Sequence, residues 1–194
     1  MHTEKTIQLM HFFTEKNGGT ISDVKLMKLL YFTDRLSLEK TGYPLTYDDY
    51  FSMNRGPILS GAKNIIDKYS NPQYQSIFNE ATPGKSPQNF NLKNVSLKNT
   101  GSCISDIDNV DFDLFSLQDR EIAEAIFAKF GAMDDDAIVQ YAHNPSICPE
   151  WEWPDGSRRT ISLETILHKL GYSSEEANSH AASIKYFKDV VFKS

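Results

Sequence analysis

The chain has 194 residues, 20 Lys and Arg against 26 Asp and Glu, and a formal net charge of -6; 40% of it is hydrophobic and 24% charged. That length supports one globular domain with a sizeable core, and the composition is too apolar for a disordered chain and too polar for a membrane protein. Apolar runs such as Leu29 to Phe32 and Val190 to Phe192 fall far short of the roughly 20 residues that cross a bilayer.

The acidic balance argues against direct nucleic-acid binding, which depends on Lys and Arg neutralising phosphates. Two cysteines, Cys103 and Cys148, do not make a disulfide-stapled secreted scaffold. The Met1-His2-Thr3-Glu4-Lys5 start shows no secretion signal, so a cytoplasmic location is expected. The charge is polarised: residues 1–100 hold 12 basic against 9 acidic side chains, and residues 101–194 hold 8 against 17.

The first element predicted is a helix capped by Thr3, with Ile7, Met10 and Phe13 inward and Asn17-Gly18-Gly19 at its end. Ser22 or Asp23 caps a second helix, apolar around most of its circumference from Leu26 to Phe32 and stopped by Thr41-Gly42. Such a helix belongs in the centre of the fold. Its Lys25, Lys28 and Arg35 raise a DNA-reading helix–turn–helix as an alternative, but so apolar a helix does not lie exposed in a groove.

Tyr47 to Met53 reads as a short strand ended by a turn at Asn54-Arg55-Gly56-Pro57, and Ser60 to Tyr69 as a short helix. Within the irregular stretch that follows, Ser76 to Phe78 and Leu92 to Leu97 are candidate paired strands. Ser116 and Asp119 form a capping box before a stripe of Ile122, Ala123, Ile126, Phe127 and Phe130. Asp134-Asp135-Asp136 opens a helix to Ala142, where carboxylates suit the positive end of the helix dipole and need no metal. A loop holding Trp151 and Trp153 follows, then helices over Ser162 to Leu170 and Ser174 to about Val191.

No catalytic, metal or cofactor signature emerges. His143 and Cys148 are close in sequence, but no CxxC, HxxxH or HExxH spacing completes a metal set. No phosphate loop or GxSxG is present, and no nucleophile–base pair; His143 as a lone general base is the one opening for a small enzyme or regulator. The aromatics are more informative. Trp, Tyr and Arg dominate binding hot spots, and the sequence places Trp151, Trp153 and Arg158-Arg159 within nine residues. One Trp is expected inward and the other near the surface.

Three blocks occur in order: Lys25-Leu26-Met27-Lys28-Leu29-Leu30-Tyr31-Phe32 with Gly42, Pro44 and Leu45; Tyr50-Phe51-Ser52-Met53-Asn54-Arg55-Gly56-Pro57-Ile58; and Tyr141-Ala142-His143, Pro149-Glu150-Trp151 and Ile161 to Leu167. Together they resemble the Panacea-domain family, which includes SocA-like antitoxins. The resemblance spans roughly residues 4 to 170. The second block here lacks an aromatic often found after its Gly-Pro, and the His143-to-Trp151 interval is longer than the family pattern.

The resemblance implies a non-enzymatic antitoxin that neutralises a co-encoded toxin by direct protein–protein contact, or, as an alternative, a proteolytic adaptor delivering the toxin to a Clp-type protease. With it the fold expected is α+β and mainly α-helical, with a small antiparallel sheet from the middle of the chain. Residues 1–170 would form a Panacea-like domain, and residues 171–194 a C-terminal helical extension packed on it. Arg55, Gly56, Pro57, His143, Trp151 and Trp153 are the partner-binding candidates.

Overall fold

The computed structural model describes residues 1–70, 98–99, 103–105, 113–156 and 158–191. Its elements in chain order are α1 (Thr3–Lys16), β1 (Thr20–Ser22), α2 (Asp23–Thr41), β2 (Tyr50–Met53), β3 (Gly56–Leu59), α3 (Ser60–Ser70), β4 (Lys98–Asn99), β5 (Cys103–Ser105), α4 (Leu117–Phe130), α5 (Asp135–His143), β6 (Arg159–Ile161), α6 (Leu163–Lys169) and α7 (Ser174–Val191). The fold is α+β and mainly helical. The candidate strands at 76–78 and 92–97 lie outside the described residues.

Helix α2 is the axis of the molecule because its apolar residues leave no face to give to water. Every residue from Leu26 to Asp34 is buried, and the helix packs against α1, α4, α5 and β3. Each fully buried Leu or Phe contributes roughly 1.5–3 kcal/mol, so this one helix anchors much of the core. Ser22 accepts a hydrogen bond from the Lys25 amide at its start, and Gly42, at φ 77°, ends it in the left-handed conformation. A Cβ on Gly42 would lie 2.9 Å from the His180 ring, so glycine there also lets α7 approach.

Two small antiparallel sheets flank this core, ordered β1-β5-β4 and β3-β2-β6. The second sheet corrects the turn expected at residues 54–57. Met53 pairs with Gly56 and Ser52 with Pro57, so Gly56 and Pro57 begin β3, and the turn is the two-residue Asn54-Arg55. A proline is tolerated there because β3 is an edge strand with one side free of the ladder. β6, not foreseen, joins the opposite side of β2, with Ser52 facing Arg159 and Tyr50 facing Ile161.

The helix ends follow local chemistry with one exception. His2, rather than Thr3, caps α1 by accepting from the Lys5 amide at 3.4 Å. The Ser116–Asp119 capping box forms in both directions, and Asp134 caps α5. At the C-terminal end α7 buries Ala177, Ala181 and Ile184 and packs on α6. Tyr172 donates to the Leu38 carbonyl at 3.2 Å, and Lys188 reaches Asp49 at 2.5 Å.

Candidate partner-binding site

The β2–β3 hairpin, the C-terminal end of α5 and the loop over residues 144–156 converge at one end of the molecule. Beneath them lies a charge inside the core. Lys28 is 1% exposed, and its Nζ donates to the Pro57 carbonyl at 2.7 Å. The Cβ of any residue replacing Gly56 would stand 3.0 Å from Lys28 Cε and 3.3 Å from Ala142, so the glycine gives the lysine its space. Burial, with a smaller contribution from nearby Arg55, pulls the ammonium pKa down to about 7.

Over this floor the aromatics form one stack. The His143 and Trp151 rings lie parallel at 4.1 Å, and Trp153 meets Trp151 edge-on at 5.9 Å. Trp151 is half-buried, and its indole N–H donates to the Met53 carbonyl at 3.2 Å, tying the loop to the hairpin. Trp153 stays 56% exposed. One Trp therefore faces inward and the other solvent, and it is the inward Trp151 whose polar edge is satisfied by a backbone carbonyl. Burial and the Lys28 charge both lower the His143 pKa, which favours the neutral ring. Its Nε2 is buried with no hydrogen-bond partner among the described residues.

The loop is locked from below by Glu150, whose side chain is fully buried. It accepts from Arg35 Nε at 2.7 Å and from the Tyr31 hydroxyl at 2.5 Å, both on α2. The Glu152 amide donates to Ser52 Oγ, and the Glu152 carboxylate pairs with Arg159 on β6. Next to this lock, burial pushes the Cys148 thiol up to about 12, so it stays protonated and unreactive. Among the described residues no three His, Cys, Asp or Glu side chains gather to hold a metal ion.

The six candidate residues thus fall in two layers. Gly56 and Pro57 are buried and shape the floor; Arg55 and Trp153 reach solvent; His143 and Trp151 lie between. Arg55 is 57% exposed and pairs only loosely, at 3.9 Å, with the exposed Asp136 at the start of α5. Sequence reasoning missed Lys28, Arg35 and Glu150 as the residues that position this site. The signal was available: a helix apolar on nearly every side must bury whatever polar residues share its circumference, and each then needs a partner.

The described residues form a mainly helical fold that presents an aromatic–cationic surface over a locked core. The chain belongs to the family described as antitoxin SocA-like, Panacea domain, whose model matches residues 26–152. The match runs from α2 to Glu152, so it covers the buried lysine, the hairpin, the His143–Trp151 stack and the Glu150 lock. No curated protein and no solved structure matches the chain.

Proposed function

We propose that this protein is an antitoxin that neutralises a co-encoded protein toxin by direct binding, acting in the cytoplasm without catalysis. Membership of the SocA-like family carries this reading. The physical site is consistent with it. A neutraliser needs a rigid surface of roughly 800 Å² rather than a reactive group. Trp153 and Arg55 are exposed residues of the hot-spot type, held by a hairpin and a loop that Glu150, Ser52 and Met53 fix in place.

Co-expression with the product of the neighbouring gene tests the proposal. Growth is restored, and the two chains elute as one complex on gel filtration. Unrelieved toxicity with soluble antitoxin and no complex would overturn it.

A second reading, a proteolytic adaptor that hands the toxin to a Clp-type protease, rests on α7. That helix exposes Tyr186, Phe187, Val190 and Val191 near its C-terminal end, an apolar strip suited to a second contact. It also fits a division into a domain over residues 1–170 and a helical extension over 171–194. Removal of residues 172–194 lengthens the toxin's half-life in cells if α7 is the tether; an unchanged half-life excludes the adaptor role.

A further inference from the structure

A groove of about 420 Å³ opens between the start of α2, the hairpin turn and α3. Met27, Met53 and Ile66 wall it with flexible or aliphatic surface. Its lining holds four cationic side chains against two carboxylates, in a chain whose formal net charge is -6. Lys63 and Asp67 pair with each other at 2.5 Å, which leaves three cationic side chains against one carboxylate. Arg55 and Arg158 stand at the rim, Arg158 stacked over the Phe51 ring at 4.7 Å.

Lys28 lies at the floor of the same groove. A protonated ammonium carries three N–H donors, and the described residues supply one acceptor for it, the Pro57 carbonyl. We propose that this groove seats an acidic, apolar-flanked segment of a protein partner, with a carboxylate directed at Lys28 and Arg55 and a neighbouring aliphatic or aromatic side chain between the methionines. Two features exclude the opposite chemistry. A basic segment would meet the like charges of Arg55 and Arg158 at the rim, and a purely apolar one would cover the Lys28 amine without filling its donors. The inference deepens the antitoxin reading by naming what its surface grips.

Selection of a phage-displayed library of random peptides on the full-length chain tests it without the toxin, so its failure and that of the antitoxin reading are separable. Selected peptides carry Asp or Glu beside an apolar residue, and they bind Arg55→Glu about tenfold more weakly or worse. Calorimetry of a selected peptide at pH 8 in two buffers of different ionisation enthalpy shows proton uptake, because a carboxylate over Lys28 favours its charged form. The groups facing Lys28 are Arg55 from the hairpin, His143 from α5 and Cys148 from the loop. Uptake therefore has to disappear in Lys28→Met to belong to the lysine, with circular dichroism verifying that this variant folds. Basic or purely apolar selected peptides, no selected peptides at all, binding indifferent to Arg55→Glu, or uptake that persists in Lys28→Met would each overturn the proposal.

Discussion

At the scale of single residues, the site depends on charges that the core encloses. Lys28 has its pKa lowered to about 7 in the fold against 10.5 for the free side chain. Between those values the unfolded chain binds more protons than the folded one, so stability rises with pH across that window, is lost as pH falls from 10.5 to about 7, and levels off below that. Between pH 6 and 9 the lysine should add about 2–3 kcal/mol to unfolding free energy, a slope that Lys28→Met removes in urea titrations at the two pH values. An equal slope in both proteins would mean that Lys28 is not buried as described. The two tryptophans separate by the same logic of partners. Trp151→Ala should cost about 3 kcal/mol through lost packing on His143 and the unmet Met53 carbonyl, whereas Trp153→Ala should stay within about 0.5 kcal/mol and act on binding instead. Thermal unfolding of the two variants distinguishes them. An inward and an outward Trp were legible in the sequence from the proline-bounded loop; which was which was not, because that depends on one carbonyl of a distant strand.

At the scale of elements, the helices were more legible than the strands, of which β2 was read within Tyr47 to Met53 and β1, β3 and β6 were not. The stripes of α1, α2 and α4 and the Ser116–Asp119 box all came from local spacing, and a local signal is enough to form a helix end. The box is a clean place to measure this: Ser116→Ala should cost about 1 kcal/mol, seen as a lower urea midpoint with unchanged slope. The strands are two to four residues long, and outside the β2–β3 hairpin and the β4–β5 pair they owe their existence to partners far away. β1 pairs with β5, more than 80 positions on, and β6 pairs with β2 across more than 100. No alternation over three residues announces such a strand. The Asn54-Arg55-Gly56-Pro57 signal was real, yet it was read as a four-residue exit when it is a two-residue reversal inside a hairpin. The difference matters for the site, because it puts Gly56 and Pro57 under the surface and leaves Arg55 at its tip. Glu150 is the hinge between these elements. Glu150→Ala should cost about 3 kcal/mol or more, since it strands the Arg35 guanidinium and the Tyr31 hydroxyl in the core. Stability unchanged in that variant would mean the loop is held by something else.

At the scale of the molecule, the charge division has acquired a finer structure. An acidic C-terminal half remains suited to steering a basic partner toward the surface, an effect that should weaken between low and physiological salt. Within that acidic envelope the hairpin end gathers Lys28, Arg55 and Arg158 around one groove, and nothing in the overall composition announced it. Steering and gripping are then separate tasks with opposite signs, which suits an antitoxin that must find its toxin quickly and release it slowly. The family match joins these scales, since residues 26–152 contain both the buried lysine and the exposed arginine. The most direct measurement of the account is toxin neutralisation by the double variant Arg55→Glu, Trp153→Ala, expressed with the neighbouring gene's product and followed by gel filtration of the pair. The account predicts a folded protein that no longer restores growth and no longer co-elutes. Full rescue with an intact complex would contradict it.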